Sequence, residues 1–152
     1  MRKLGWLVAV AMVAATLAGG VAFAEQMGTK SLYERLGGKA AITAVVDEFV
    51  ARVASDKRIN AFFAATAADP KRLAAFKGKL VDQICEAAGG PCKYTGKDMK
   101  SAHQGMGVGS ADFDALVENL VGALNKFKVG ADEQKTLLGV LGPMKSDIVE
   151  SK

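Results

Sequence analysis

The chain has 152 residues, half of them hydrophobic, and its 20 Lys and Arg against 16 Asp and Glu give a net charge of +4. That length suits one domain with one hydrophobic core, and so small a positive excess argues against nucleic-acid binding. A single histidine and two cysteines exclude metal sites built from several histidines.

The first 24 residues have the pattern of a secretory signal peptide. They combine a positive start, an apolar stretch and a small-residue cleavage motif: Arg2-Lys3, Leu4 to Leu17 and Ala22-Phe23-Ala24. A retained membrane anchor is the alternative, but a span needs about 20 apolar residues and this stretch is shorter. The sequence therefore predicts cleavage after Ala24, export to the periplasm and a mature protein that does not span the membrane. A linker over 25–31 then leads into one domain over 32–150.

Helical periodicity recurs along the rest of the chain without a convincing strand pattern, so the sequence predicts an all-α fold. Ser31 and Glu34 have the spacing of a helix capping box, and the pair Gly37-Gly38 ends that brief helix. A second helix is predicted over 39–54. Its apolar residues share one face: Ile42, Val45, Val46, Phe49, Val50 and Val53.

Asp69 followed by Pro70 marks the start of the next long helix, because a capping carboxylate precedes a proline at the first helical position. A turn or two over 57–63 precedes it. The helix is predicted to run to about Ala88, where two glycines stop it. Its apolar stripe consists of Leu73, Phe76, Leu80 and Ile84.

The last third of the chain predicts one short helix within a long loop over 91–109, and then two longer helices. The first, over 110–127, carries its apolar residues on one face: Phe113, Leu116, Val117, Leu120, Val121, Leu124 and Phe127. The second, over 130–149, is expected to kink or break at Gly142-Pro143. Its core face is formed by Leu137, Leu138, Leu141, Met144 and Ile148.

The two cysteines, Cys85 and Cys92, are separated by six residues that include Gly89, Gly90 and Pro91. Export favours a disulfide between them, since the turn residues would let the chain fold back. Two free thiols are the alternative. The spacing matches neither a zinc pattern nor the C-x-x-C-H motif of haem attachment, so any haem would be bound without thioether links.

His103 is the only histidine in the chain. A lone histidine on an apolar helix face is more often a hydrogen-bonded core residue than a ligand. Haem iron is the exception, because it needs one axial protein ligand while the macrocycle supplies four nitrogens. The surrounding helices, rich in Phe, Leu, Val and Ile, could form walls for such a flat apolar cofactor.

Four short motifs, in order along the chain, carry a more specific signal. They are Leu32-Tyr33-Glu34-Arg35-Leu36-Gly37-Gly38, Gly89-Gly90-Pro91, Tyr94-Thr95-Gly96, and Met99-Lys100-Ser101-Ala102-His103 with the Gln104-Gly105-Met106-Gly107-Val108 that follows. In this order and at these separations, the sequence resembles the group I truncated haemoglobins from Leu32 to about Val149.

The resemblance implies a truncated globin fold, a two-over-two helical sandwich around non-covalent haem b (iron protoporphyrin IX), with His103 as the proximal iron ligand. The predicted cofactor-binding residues are Phe49, Val50, Phe62, Phe63, Phe76, Lys79, Leu80, Met99 and His103, of which Lys79 is assigned from its position on the helix beside Phe76 and Leu80. In the family a tyrosine usually follows the phenylalanine of the second helix and hydrogen-bonds oxygen, but Val50 stands at that position here. On the distal helix, where the family commonly has polar residues, this chain has Phe76 and Leu80. The distal wall is therefore expected to be mainly apolar and to lack a hydrogen-bond donor for bound oxygen, which disfavours durable oxygen storage.

Lys79 has two competing interpretations. Its ammonium group could reach a haem propionate at the pocket rim, or its neutral amine could bind the iron opposite His103 as a distal ligand. Met106 is a weaker ligand candidate, and Gln83 is either solvent-facing or a hydrogen-bond donor inside the pocket. Lys93, Lys97 and Lys100 form either a solvated basic face or a docking surface for an acidic redox partner.

Three functions therefore stay open at this point. The first is binding of a diatomic gas (oxygen, nitric oxide or carbon monoxide), which would include a nitric oxide dioxygenase-type activity. The second is electron transfer or redox sensing by a six-coordinate, cytochrome-like centre with Lys79 as ligand. The third is a haem-free helical interaction module.

Overall fold

A computed structural model describes residues 30–150 of the chain, so the predicted signal peptide and residues 25–29 of the predicted linker lie outside the described residues. This part is all-helical, as the periodicity predicted, and contains no strand. Eight α-helices and two short 3₁₀ helices follow one another: α1 (Leu32–Arg35), α2 (Gly38–Ser55), a 3₁₀ helix (Asn60–Phe63), α3 (Ala64–Ala67), α4 (Pro70–Ala87), α5 (Met99–His103), α6 (Ser110–Lys126), α7 (Ala131–Leu141), a 3₁₀ helix (Gly142–Met144) and α8 (Lys145–Ile148).

The helix starts form where the local sequence predicted them. The Ser31 hydroxyl accepts a hydrogen bond from the Glu34 amide (3.2 Å), and the Glu34 carboxylate accepts one from the Ser31 amide (2.8 Å), which completes the capping box of α1. At α4 the Asp69 carboxylate accepts from the amides of Lys71 and Arg72. These side chains satisfy amides that have no partner inside the helix, and so fix where each helix begins.

The core is built around α2, which packs against both α4 and α6. Ile42, Val46 and Val53 of α2 are buried, as are Leu124 of α6 and Leu137 of α7. Replacing their contact with water by contact with one another stabilises the fold, at about 25 cal/mol for each Å² of apolar surface removed from water.

The predicted apolar stripe of α4 serves two different purposes. Leu73, Phe76 and Leu80 are only partly buried and line a cavity, whereas Ile84 is buried in the core beside Val81 and Cys85 and also borders that cavity. At the end of α6, Phe127 was predicted to share the apolar face but is 45% exposed. That expectation was wrong because the helix ends at Lys126 and the chain turns at Lys128 (φ 55°).

The predicted break at Gly142-Pro143 is present as a 3₁₀ helix between α7 and α8. The break lets the two helices pack on different parts of the fold: α7 packs on α1, and α8 packs on α5. None of the helices within residues 30–150 is both long enough and apolar enough to cross a membrane.

Cys85 and Cys92 form a disulfide in the structure, with their Cα atoms 5.7 Å apart. A straight continuation of α4 would hold the pair about 10 Å apart, but the chain turns back at Gly89, whose φ is +79°. Cys85 is completely buried. The disulfide therefore joins the last turn of α4 to the segment that leads into α5.

Gly90 fills a position with no space for a side chain. A Cβ atom there would lie 2.5 Å from Cδ2 of Tyr33 and 2.7 Å from Sγ of Cys85. We expect Gly90→Ala to destabilise the fold by about 1–3 kcal/mol, as overpacking does.

Gly78 lies in the middle of α4, and a Cβ atom added there would meet nothing within 4 Å. Gly78→Ala is therefore expected to stabilise the fold by about 0.5–1 kcal/mol. Urea unfolding of both variants measures their free energies of unfolding. Equal changes in the two variants would contradict the assigned difference in space at Gly90 and Gly78.

Candidate functional site

A cavity of about 930 Å³ lies between α2, α4, α5, α6 and the α7–α8 region, with a mainly apolar lining. Its size is near the upper end of the range for small-molecule and cofactor sites, roughly 300–1,000 Å³. The structure brings all nine predicted cofactor-binding residues to its walls: Phe49, Val50, Phe62, Phe63, Phe76, Lys79, Leu80, Met99 and His103. They come from four separate parts of the chain, so only the fold assembles them.

His103 is held at the end of α5 in a defined orientation. Its Nδ1 lies 2.7 Å from the Met99 carbonyl oxygen. A carbonyl oxygen only accepts hydrogen bonds, so Nδ1 carries a proton, and in the neutral imidazole Nε2 then keeps its lone pair. Among metal-binding histidines this is the common arrangement, with one nitrogen donating to the protein and the other free to ligate.

The start of α5 is fixed by Asp98, whose carboxylate accepts a hydrogen bond from the Ser101 amide (2.9 Å). This hydrogen bond holds the pKa of Asp98 below its usual range, because it favours the charged carboxylate. A one-turn helix is marginal by itself. The cap therefore contributes to placing His103 at the cavity.

The donor set of the described residues matches a macrocyclic metal cofactor better than a bare ion. Residues 30–150 contain no group of three or more His, Cys, Asp or Glu side chains that could hold a metal. His103 alone could not retain a zinc or calcium ion, which needs several protein ligands. An iron whose other nitrogen ligands come with the cofactor fits one histidine in an apolar cavity.

Aromatic side chains form one wall of the cavity. The rings of Phe63 and Phe76 have centroids 5.7 Å apart and planes inclined by 49°. Phe49 is buried, and Phe62 packs against both apolar clusters of the molecule. Such a wall excludes water and offers flat apolar surface to a ring-shaped ligand.

The other predicted distal residues give this wall little polarity. Val50 and Leu80 are half-buried, pack against the core and line the cavity. Lys79 lines it too, but its side chain is exposed. Its neighbour Lys77 is held by an ion pair with Asp47 (2.8 Å). The exposed position of Lys79 agrees with the rim interpretation rather than with a buried iron ligand.

Gln83 is half-buried and lines the cavity, in contrast to the solvent-facing alternative. Its side-chain nitrogen lies 3.3 Å from Sδ of Met99 and 3.5 Å from Sδ of Met144. Thioether sulfurs are weak acceptors, so the Gln83 amide keeps hydrogen-bonding capacity at the place where α4 faces α5.

Several lining residues were predicted only as core: Leu116, Val117, Leu120, Leu138, Leu141, Met144 and Ile148. Periodicity placed each of them on the apolar face of its helix, but it does not indicate what covers that face.

Tyr94, predicted as a packing residue, also lines the cavity, and its hydroxyl donates to the Lys97 carbonyl (2.7 Å). Burial raises the pKa of Tyr94. Among the basic residues near α5, Lys93 pairs with Glu86 (3.3 Å) and stays 82% exposed.

Comparison with known proteins gives consistent results. Residues 31–150 match the family described as bacterial-like globin. Over 118 residues the chain is 36% identical to a group 1 truncated hemoglobin of Mycolicibacterium paratuberculosis, with 78% of this chain and 83% of that protein covered. It is also 36% identical over 100 residues to a group 1 truncated hemoglobin of Tetrahymena pyriformis, covering 66% and 78% of the two chains.

Solved structures show the same fold. The Fe(III) truncated hemoglobin of Tetrahymena pyriformis superposes with a TM-score of 0.72 at 30% identity, covering 80% of this chain and all of that one. The 2/2 hemoglobin of a Synechococcus species, solved in the cyanomet state with covalently attached heme, gives 0.72 at 34% identity, covering 79% and 98%. The described helices therefore form a two-over-two sandwich, as the resemblance implied.

Proposed function

This chain belongs to the bacterial-like globin family, and we propose on that premise that it is an exported haem b protein that binds small diatomic gases with His103 as the proximal ligand. The main support within the structure is the bond from His103 Nδ1 to the Met99 carbonyl, which leaves Nε2 free at the wall of an apolar cavity.

When bound, haem would supply an iron atom with one coordination position for a gas molecule and one for His103. The chain's own residues do the rest. The Met99 carbonyl keeps the proton on Nδ1 and holds the imidazole ring in place. Phe63 and Phe76 contribute apolar ring surface to the cavity, which disfavours water there.

The polarity of the wall that contains Val50 and Leu80 bears on which gas is favoured. A donor aimed at a ligand that gains negative charge is worth about 1.5–3 kcal/mol. Neither Val50 nor Leu80 provides one, and the Gln83 amide faces the sulfurs of Met99 and Met144 instead. Nitric oxide and carbon monoxide depend less than oxygen on such a donor. We therefore favour them as ligands over oxygen, and we do not favour durable oxygen storage.

Non-covalent haem is supported by the cysteines. The chain has two, and both are used in the disulfide. No thiol is then left to add to a haem vinyl group. The Synechococcus structure, in contrast, is described with covalently attached heme.

Export to the periplasm is supported by two independent features. The first 24 residues have the positive, apolar and small-residue segments of a cleaved signal peptide. The Cys85–Cys92 disulfide is of a kind that persists in oxidising compartments and is rare in the cytosol.

The coordination state of the iron tests this function. We expect hemin-loaded, reduced protein to have an open ligand position and to shift its absorption spectrum at once when carbon monoxide is added. Lys79→Ala is expected to leave the ferric and ferrous spectra unchanged, because the Lys79 side chain is exposed. Lys71→Ala, another exposed lysine of α4, is the matched control.

A six-coordinate low-spin spectrum that Lys79→Ala converts to an open site, and Lys71→Ala does not, would contradict the gas-binding proposal. It would instead support the electron-transfer alternative, which neither the exposure of Lys79 nor the relatives favour.

A further inference from the structure

The loop that follows His103 is closed by a carboxylate from a distant part of the chain. We call residues 104–109 the proximal loop. Oε1 of Glu150 accepts a hydrogen bond from the Gly105 amide (2.5 Å), and Oε2 accepts one from the Gly107 amide (2.7 Å). Both oxygens of one side chain are therefore used on the backbone of this loop, 43 and 45 residues away in sequence.

The backbone of the loop is shaped for this contact. Gly105 has a φ of +79° and Gly107 a φ of +69°, a region that residues with a Cβ rarely adopt. These conformations turn two nearby amides toward the same point, so they form a small anion-binding nest. The occupant in this structure is the Glu150 carboxylate.

A second set of contacts ties the same two segments together. The Glu150 amide donates to the Val108 carbonyl (2.9 Å). Val108 and Ile148 are buried in one small apolar cluster with Phe113, and Met99 of α5 packs against it. The proximal loop is thus attached to the end of α8 through side-chain, backbone and apolar contacts.

His103 depends on attachments of this kind. Helix α5 has only five residues, and so short a helix is not stable in isolation. Its start is capped by Asp98, but its end, where His103 lies, runs directly into the proximal loop. Movement of the loop would therefore move the imidazole ring.

We propose that Glu150 is a positioning residue for His103: by holding the amides of Gly105 and Gly107 together, it fixes the end of α5 and so slows the loss of haem. This inference rests on the proposed function of His103 as the haem ligand. Glu150 itself does not line the cavity, so it acts through the loop and not by contact with the cofactor.

Glu150→Gln removes the negative charge and one of the two acceptor oxygens while keeping the size of the side chain. Asp147→Asn is the matched control, since Asp147 is an exposed carboxylate on α8. In protein without haem, hydrogen exchange of the Gly105 and Gly107 amides is expected to be about tenfold faster in Glu150→Gln than in the parent. Asp147→Asn is expected to match the parent.

In haem-loaded protein, transfer of haem to an excess of a high-affinity haem scavenger measures retention. We expect Glu150→Gln to lose haem roughly three- to tenfold faster, which is below the ~10–100-fold effects of removing a direct outer-shell partner of a metal ligand, because Glu150 acts through the loop. The iron–histidine stretching band in the resonance Raman spectrum of the ferrous protein is expected to shift or broaden. Glu150→Asp, which keeps the charge, is expected to restore part of both properties.

The failures of the two proposals are distinguishable. If the parent holds haem through His103, but Glu150→Gln matches Asp147→Asn in amide exchange, haem loss and Raman band, the positioning role is overturned and the haem site stands. If the parent holds no haem, the proposed function fails and the positioning role falls with it, whatever the amide exchange shows.

Discussion

Replacing His103 with glycine is expected to abolish the specific haem spectrum of this protein. The chain offers no second histidine, and within residues 30–150 no cluster of metal-binding side chains could take over. Without an axial ligand the haem would keep only its contacts with the cavity wall and rim, so the sharp Soret band of the hemin-loaded parent should be replaced by the broad band of unspecific hemin. Absorption titration with hemin, ferric and then ferrous, measures the change.

Two additions separate loss of the ligand from loss of the fold. Imidazole supplied in solution can occupy the space left in His103→Gly and is expected to restore a sharp Soret band. Gln104→Ala, which changes the adjacent exposed residue, is expected to bind hemin like the parent. If His103→Gly keeps the parent's spectrum without imidazole, His103 is not the proximal ligand.

Reduction of the Cys85–Cys92 disulfide is expected to lower the free energy of unfolding by about 2–3 kcal/mol. The estimate follows from the entropy that a cross-link of this short loop removes from the unfolded chain. Because the bond connects the buried end of α4 to the segment that leads to α5, its loss should also loosen the part of the chain that carries His103. Urea unfolding with and without reductant measures the change in one unaltered chain.

The double variant Cys85→Ala, Cys92→Ala provides the control, because its stability should not respond to reductant. Intact mass of the protein recovered from a periplasmic extract gives a second measurement. We expect a chain that begins at Glu25 and is two daltons lighter before reduction than after it. A parent whose stability is the same in both conditions would show that the bond contributes nothing.

The sequence by itself determined the local structure of this protein well. Ser31 with Glu34, and Asp69 with Pro70, set helix starts that the structure reproduces, because a cap involves residues only two or three positions apart. The break at Gly142-Pro143 has the same kind of cause. The order of the short motifs was enough to predict an all-α globin fold, which the relatives and solved structures confirm.

The sequence also indicated which side chains meet around one cavity, but only through the resemblance. The resemblance predicted that His103 would lie on one wall of the cavity and that Phe49, Phe76 and Leu80 would lie on others. All four residues line the same cavity. Composition and periodicity alone would have left His103 as an ordinary core histidine. Composition and periodicity show only that one face of a helix is apolar.

What covers each apolar face was decided only by the tertiary structure. Leu80 and Val81 are neighbours on α4, yet Val81 is buried in the core while Leu80 lines the cavity. Gly90, predicted as a helix stop, proved to be a point of close contact with the distant Tyr33. Glu150 reaches back to the loop beside His103. The physical reason is common to all three: these contacts join residues far apart in sequence, and local patterns do not encode which distant segment packs against them.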